Sequence, residues 1–331
     1  MKSKTILILG NYPPPFGGVP RHIECLIPYL VDKGWKVHVL SGGNIGIEYK
    51  KGFSVYKPDR WSKRYYLIKS LCRAKKKGSF NFNALRRRYP KKWLYYKTYI
   101  SYARKIIETE QINLISAYNL YNYAPIGAVL SDEYNIPLVV TNFGEIFSMT
   151  NYFLENLDLV KYVCHHSKKL LAMSCNCAQS YKLLNLAPDV EVIPYGVDVT
   201  KFSLNKDGSK IRNKVGVIGS NKVVLFVGRL IADMGLHTLL EAIPKVLKNN
   251  SQIKFIIVGQ KTHSIFCILE SLPMLTCKTP LNHDIKQFCN STRSPTLIFE
   301  SSCIFSFHTV KDASPDSSNI SPSTKVCSIP E

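Results

Sequence analysis

Short apolar runs alternate with amphipathic stretches along the first 260 residues of the chain. Runs rich in Ile, Leu and Val, such as TILIL at 5–9 and KVHVL at 36–40, are typical of buried strands. Between them, Gly18 to Lys33 carries apolar residues at helical spacing and is followed by Gly34, a common helix terminator. This βαβα rhythm predicts a doubly wound parallel sheet.

The same rhythm continues to residue 194 and then restarts. Further strands are predicted at 53–56, 113–117, 136–141, 170–174 and 190–194, and helices at 124–133, 152–166 and 175–186. A second unit follows, with strands at 222–228 and 253–259 around a helix at 236–249. The intervening segment is polar and rich in turn residues. We therefore predict a Rossmann-like domain at 1–194, a hinge at 195–220 and an incomplete second Rossmann-like domain at 221–260.

The pattern stops after residue 260. From Lys261 to Glu331 there is no glycine, although the chain contains 18. No sustained period is found there, and a parallel sheet needs more crossovers than the segment offers. A disordered tail and a non-native end, frameshifted or mis-joined, both account for an irregular 261–331. The abruptness of the break favours the second interpretation.

Composition adds a strong positive charge to this picture. The 331 residues suffice for two domains, and 44 Lys and Arg against 23 Asp and Glu give a net charge of +21. Such an excess favours an anionic partner: a membrane surface, a nucleic acid or a phosphorylated substrate. No signal peptide or membrane-spanning run is found. Ten cysteines lack paired metal-ligand spacing, so we expect reduced, mostly buried thiols, no metal site and a cytoplasmic protein.

The segment GNYPPPFGGVPRHIECL at 10–26 joins the first strand to the first helix. Gly17 and Gly18 precede the helix, whose first N–H groups are free to meet an anion. The GxGxxG spacing is absent, which argues against a nucleotide-dependent oxidoreductase. The prolines keep the entry to the loop rigid, which lowers the entropy lost on binding. Taken alone, the loop leaves phosphate binding and a purely structural turn both open.

Four stretches in order carry a family resemblance: PPPFGGVPRHIECL, NIPLVVTNFGEI, VIPYGVDVTKF and VVLFVGRL…MGLHTLLEAIPKVL. Together they resemble the family 4 glycosyltransferases over residues 4–260. The resemblance implies an α/β, GT-B-like fold and retaining sugar transfer from a UDP- or GDP-sugar, without a metal or other cofactor. It also implies a hexosyltransferase that acts on a glycan or lipid-linked acceptor in polysaccharide or glycolipid biosynthesis.

The resemblance further assigns residues to a donor side and an acceptor side. Gly17 and Gly18 would bring backbone N–H groups to the donor diphosphate, and Arg229 would stabilise its departing charge. Glu145 is the polar candidate for catalysis or for contact with the sugar or acceptor; the alternative is a solvated loop glutamate. The acceptor or cleft set comprises Arg21, His22 and Asn142, with a helix-surface position as the alternative for His22.

Several positions depart from the family pattern. Met234 stands where the resemblance places a lysine, and losing such a donor typically costs on the order of 10²–10³ in rate. Phe143 replaces the frequent histidine and Tyr195 the usual asparagine. The two glutamates eight positions apart that the family uses to bind its donor are absent. We therefore expect this chain to be inactive as written.

Residues 57–105 hold most of the excess charge and a single acid, Asp59. Two stripes at helical spacing are predicted to face the core: Trp61, Tyr65, Ile68 and Cys72, and Trp93, Tyr96, Ile100, Ala103 and Ile107. The charged face suits an anionic membrane, plain solvation or nucleic acid. The family context favours the membrane, because many members glycosylate lipid-linked acceptors. The membrane patch comprises Lys63, Arg64, Lys75, Lys76, Lys77, Arg86, Arg87 and Arg88.

A second class of function remains open at this point. A chain that kept only the acceptor fold could act as a non-catalytic protein that binds a membrane or nucleic acid. Release of nucleotide from UDP- and GDP-sugars separates this alternative from a transferase.

Overall fold

The computed structural model describes residues 4–14, 17–43, 45–72, 81–214, 217, 219, 221–228, 234–250, 252–260 and 302–307. The chain divides into two compact units, Met1–Asp198 (unit 1) and Val199–Glu331 (unit 2). Apart from 302–307, the predicted irregular tail lies outside the described residues.

Unit 1 is built on an eight-stranded sheet with the order β3-β4-β2-β1-β5-β6-β7-β8. Its strands are β1 (Lys4–Leu9), β2 (Trp35–Leu40), β3 (Gly46–Lys50), β4 (Phe53–Lys57), β5 (Leu114–Tyr118), β6 (Leu138–Asn142), β7 (Lys169–Ala172) and β8 (Val190–Val192). All neighbours are parallel except β3 and β4, which are antiparallel. The predicted parallel sheet is confirmed, with one unpredicted edge strand, β3.

The helices of unit 1 connect these strands. They are α1 (Gly18–Asp32), α2 (Arg60–Cys72), α3 (Asn83–Arg88), α4 (Pro90–Glu110), α5 (Ala124–Tyr134), α6 (Glu145–Ser148), α7 (Thr150–Glu155), α8 (Leu157–His166) and α9 (Cys175–Gln179). A 3₁₀ turn, Ser180–Leu184, follows α9. The helix predicted at 152–166 is interrupted at Asn156, whose side-chain amide donates to the Tyr152 carbonyl oxygen at 2.7 Å. Such local side-chain bonding competes with the main-chain ladder.

The core of unit 1 lies on both faces of the sheet. In β1, Leu7 and Leu9 belong to one buried apolar cluster, and Ile6 and Ile8 belong to another. Alternate side chains of a strand point to opposite faces, so both faces of this central strand are covered. The continuous apolar run TILIL is the sequence signature of that burial.

Unit 2 contains α10 (Ser209–Lys214), β9 (Val223–Val227), α11 (Leu236–Asn249), β10 (Lys254–Gln260) and β11 (Ser302–Phe307). Strands β9 and β10 are parallel, and β10 and β11 are antiparallel. Leu240 and Ile243 of α11 pack with Phe255 and Ile257 of β10 in one apolar cluster. The predicted second βαβ element is therefore present. Strand β11 differs from the irregular structure expected there, in keeping with its apolar sequence CIFSF.

Candidate functional site

The loop between β1 and α1 places Gly17 and Gly18 at the start of the helix. Gly17 has φ 168 and ψ 175, an extended conformation that any residue adopts. Among the described residues, a Cβ on Gly18 would meet nothing within 4 Å, and one on Gly17 would meet only Pro20, at 3.6 Å. The described packing therefore gives no reason for glycine at either position. No described residue other than Pro20 lies close to the space above these two glycines.

The N-terminus of α1 has neither a capping side chain nor an acidic residue in its first turn. The Arg21 N–H donates to the Gly17 carbonyl oxygen at 3.0 Å, and Pro20 has no N–H. The N–H groups of Gly18 and Val19 consequently have no acceptor within the helix. A helix start of this kind favours an anion through its free donors and its dipole.

The proline segment that precedes the glycines is held by Lys57, at the end of β4. Its Nζ donates to the carbonyl oxygens of Pro13 at 2.8 Å and Pro14 at 3.2 Å, and lies 3.8 Å from the Glu48 carboxylate. Burial lowers the pKa of Lys57, while Glu48 raises it. Sequence reasoning missed this residue, because a lysine after a strand is normally solvated.

Four rings gather where β5, β6 and β8 lead out of the sheet. His22 of α1 stacks on Tyr195 with ring centroids 4.1 Å apart, and lies 5.7 Å from Tyr118. Phe143 is 6.0 Å from Tyr118 and 5.5 Å from Tyr195. We call these four residues the aromatic cluster. The His22 ring is half-buried against these neighbours rather than a free surface side chain. This burial lowers the pKa of His22.

Glu145 opens α6 at the end of β6 and is only 8% exposed. The alternative of a solvated loop glutamate is therefore wrong. Its Oε2 accepts a hydrogen bond from the Phe143 N–H at 3.0 Å, and its Oε1 is buried with no hydrogen-bond partner among the described residues. Burial raises the pKa of Glu145 to about 7, against backbone N–H groups that lower it. Near neutral pH this carboxyl group can therefore carry or release a proton.

Asn142 supports the turn that presents Glu145. It is fully buried, and its amide donates to the Cys177 carbonyl oxygen at 3.0 Å and to Ser180 Oγ at 3.3 Å. Its Oδ1 accepts from the Gly144 N–H at 2.8 Å. These bonds engage both ends of the amide within the protein.

The other predicted cleft residues are placed differently. Arg21 pairs with Glu24 at 2.5 Å on the exposed side of α1. Arg229 lies outside the described residues. Unit 1 thus brings the glycine loop, the aromatic cluster and Glu145 to the carboxyl ends of its strands, where ligands of open α/β sheets bind.

The two aromatic stripes behave in opposite ways. Tyr96, Ile100, Ala103 and Ile107 are buried as predicted. Trp61, Tyr65 and Ile68 are 76%, 59% and 56% exposed, so the expectation that they face the core is wrong. Helical spacing shows that residues share a face, but it does not show what covers that face.

The basic residues of the predicted membrane patch are not all free. Lys63 donates to the Gly43 carbonyl oxygen, Arg86 lies over the Trp93 ring at 5.1 Å, and Arg88 lies 3.8 Å from Glu155. Arg64 and Arg87 are exposed. The patch lysines at 75–77 lie outside the described residues.

Within the described part of the chain, no group of three or more His, Cys, Asp or Glu residues could hold a metal ion. No described helix is both long enough and apolar enough to cross a membrane. The thiols of Cys25, Cys72 and Cys175 are exposed, contrary to the expected burial.

Solved structures of glycosyltransferases share this architecture. The UDP-forming trehalose-phosphate synthase from Burkholderia xenovorans aligns with a TM-score of 0.56 at 13% identity, over 81% of this chain and 68% of that chain. Anabaena HepE in complex with UDP and glucose aligns with a TM-score of 0.50 at 20% identity, over 80% and 64%. The fold is that of the GT-B glycosyltransferases.

The family is shown by the sequence itself. The chain belongs to Glycosyltransferase Family 4, whose family model matches residues 16–201. A second model, Glycosyl transferases group 1, matches residues 207–274 and so extends beyond residue 260.

Two curated relatives illustrate the range of the similarity. The uncharacterized glycosyltransferase MJ1607 of Methanocaldococcus jannaschii is 23% identical over 77% of this chain and 63% of its own length. The alpha-monoglucosyldiacylglycerol synthase of Streptococcus pneumoniae is 21% identical over 48% of this chain and 39% of its own length. The chain thus spans less than two thirds of either relative.

Proposed function

We propose that this chain is a glycosyltransferase, or the remnant of one, whose reaction moves a hexosyl group with retention of configuration from a UDP- or GDP-sugar to a glycan or lipid-linked acceptor. The observation that carries the proposal is the pair Gly17–Gly18, which the described packing does not require, beside an uncapped helix N-terminus. The solved complex of Anabaena HepE with UDP and glucose supports the donor class. The lipid product named for the Streptococcus pneumoniae relative supports a lipid-linked acceptor in glycolipid or polysaccharide biosynthesis.

In the proposed reaction, the bond between the anomeric carbon and the diphosphate oxygen breaks, and a bond to an acceptor hydroxyl oxygen forms. The products are the glycoside, the nucleoside diphosphate and a proton. The N–H groups of Gly18 and Val19 and the side chain of Arg229 would stabilise the leaving charge. The proposal includes no metal ion or other cofactor.

The acceptor side is proposed to lie at the strand ends of unit 1. Glu145 is proposed to accept a hydrogen bond from a sugar or acceptor hydroxyl through Oε1, which has no hydrogen-bond partner among the described residues. Because this atom is buried, the turn around Glu145 would have to open for that contact. The ring of His22 can pack against a sugar, with Arg21 nearby on α1. Asn142 would act by holding the turn that carries Glu145.

The rate of sugar transfer by this chain is proposed to be very low or zero. Met234 supplies no charge where the resemblance places a lysine, and such a loss typically costs on the order of 10²–10³ in rate. The absent pair of glutamates would lower donor binding further. Nucleotide binding, rather than turnover, is therefore the sharper test.

Calorimetry with UDP and GDP, using the full chain and its Gly18→Ala variant, tests the proposal. We expect one nucleotide to bind, and Gly18→Ala to weaken binding by about tenfold or more, because a Cβ would occupy the space that the diphosphate needs. Gly208→Ala is the matched control, since a Cβ there also meets nothing within 4 Å. Absence of binding, or equal binding by Gly18→Ala, would overturn the proposal. Vesicle binding without nucleotide binding would favour the non-catalytic alternative.

The proposed location is the cytoplasm, peripheral to the inner face of an anionic membrane. A net charge of +21 supports this location, since juxtamembrane basic residues contribute about 1 kcal/mol each near such a surface. Nucleic acid is not proposed as a partner.

A further inference from the structure

Helix α2 exposes an apolar stripe. Trp61, Tyr65, Ile68 and Leu71 are 76%, 59%, 56% and 55% exposed. Exposed large side chains that share one helix face form a patch of the kind that marks an interaction site. Burial in the core therefore does not account for the apolar residues of this stripe.

The opposite face of α2 is the one that packs on the protein. Ser70 is buried, and the ring of Tyr66 lies 4.6 Å from that of Tyr102 in α4. These contacts fix the rotation of the helix. The stripe consequently points away from unit 1.

Positive charges flank the stripe on both sides. At about 100° per residue, Trp61, Tyr65 and Ile68 lie at the centre of the exposed face. The basic residues of α2 that border them are Arg60 and Arg64 on one side and Lys69 on the other, all exposed. The sequence of the helix, RWSKRYYLIKSLC, contains no acid.

We propose that α2 lies in the surface of an anionic lipid bilayer, with its apolar stripe inserted and its flanking cations at the lipid phosphates. This inference rests on the peripheral location proposed above and assigns it to one helix face. An apolar face that carries Trp and is bordered by Arg and Lys is the pattern of a helix that lies in a membrane interface.

Other occupants fit the same face less well. The rings of Trp61 and Tyr65 could stack on bases, but the aliphatic side chains of Ile68 and Leu71 on the same face offer no plane for a base. A second copy of the chain would bring Arg60, Arg64 and Lys69 towards identical charges. Lipid can accommodate the whole apolar stripe, aromatic and aliphatic, together with its cationic border.

The helix is also tied to the strand-end edge of the sheet. Lys63, in the first turn of α2, donates to the carbonyl oxygen of Gly43 in the loop after β2. The same loop packs on Lys57, which holds the proline segment. A bilayer at α2 would therefore place lipid-linked acceptors beside the edge that carries the glycine loop.

The test is sedimentation of the full chain with two kinds of vesicle: phosphatidylcholine alone, and phosphatidylcholine mixed with phosphatidylglycerol. We expect binding only to the anionic vesicles. The double variant Ile68→Ser/Leu71→Ser should bind about tenfold or more weakly, because it removes inserted apolar surface without changing charge. The variant should stay folded, since these side chains are exposed.

Leu154→Ser/Leu183→Ser is the matched control, because it removes two other exposed leucines of unit 1, which are 46% and 49% exposed. Its vesicle binding should equal that of the unchanged chain. If Ile68→Ser/Leu71→Ser also binds as well as the unchanged chain, the stripe does not insert and the inference is wrong. An equal loss of vesicle binding in both double variants would also contradict the inference that the stripe inserts.

Two further measurements complete the design. Binding to a single-stranded RNA, or self-association by analytical ultracentrifugation, that disappears in Ile68→Ser/Leu71→Ser would overturn the assignment to lipid. Calorimetry with UDP and GDP is run on the same variants without vesicles. Nucleotide binding without vesicle binding rejects the inference for α2 and the peripheral location but leaves the transferase proposal standing. Vesicle binding without nucleotide binding rejects only the transferase proposal.

Discussion

The Nζ atom of Lys57 donates to the carbonyl oxygen of Pro13 at 2.8 Å from a side chain with no exposed surface. Lys57→Met would leave the carbonyl oxygens of Pro13 and Pro14 without this donor and would remove a cation that lies 3.8 Å from Glu48. We predict that the free energy of unfolding falls by about 1–3 kcal/mol, as measured by chemical denaturation. Hydrogen exchange at the Gly17 and Gly18 amides should also become faster.

Lys50→Met is the control for this prediction. Lys50 lies 3.6 Å from Glu48 and donates to the Tyr12 hydroxyl at 3.3 Å, but 40% of its side chain is exposed. Its loss should cost less than about 1 kcal/mol, as for other exposed ion pairs. If Lys57→Met and Lys50→Met lower the free energy of unfolding equally, the burial of Lys57 adds nothing to stability.

Glu145 should make unit 1 less stable as pH rises. Its pKa in the fold, about 7, lies above the ordinary value of 4.5, so folding favours the neutral acid. That stability is fully present below pH 4.5 and is lost as pH rises through 7, by roughly 3 kcal/mol. Glu145→Gln cannot ionise, so its stability relative to the unchanged chain should grow across this range in urea titrations. A constant difference would contradict the assigned burial.

Gly144 and Gly18 should respond oppositely to the same substitution. Gly144 has φ +92, and a Cβ on it would lie 3.3 Å from Cys177 Sγ. Gly144→Ala should therefore lower the free energy of unfolding by about 1–2 kcal/mol. Gly18→Ala, in the open first turn of α1, should leave it unchanged or raise it by up to about 1 kcal/mol. Thermal unfolding compares the two variants. Similar losses of unfolding free energy would show that Gly18 is constrained by packing.

Tyr195 should control the titration of His22. The two rings are 4.1 Å apart, and burial lowers the pKa of His22 below 6.5. Tyr195→Asn removes the stacked ring, so water should reach the imidazole and its pKa should rise towards 6.5. NMR titration of the histidine ring protons measures the change. Tyr29→Asn, at an exposed position of the same helix, should leave the titration of His22 unaltered.

The sheet could be predicted because short apolar runs such as TILIL are typical of strands that are covered on both faces. Strand β3 was missed, since GIEYK is polar, short and paired on one side only. The stripe on α2 was assigned to the core because lipid and core impose the same periodicity. Sequence indicated that Glu145 stands at a strand end. Its burial, and the lack of a hydrogen-bond partner for Oε1 among the described residues, depend on the packing of segments distant in sequence. The same is true of Lys57, whose partners lie 43 and 44 residues away.

The two edge strands of the eight-stranded sheet, β3 and β8, affect how the molecule behaves at high concentration. One border, β3, carries Glu48 and Lys50, and the other, β8, is three residues long with Glu191 3.5 Å from Lys169. Short, charged borders offer a poor template to an incoming strand. At high concentration, unit 1 should therefore resist fibrillar aggregation through its sheet edges. Any aggregation should begin at other parts of the surface.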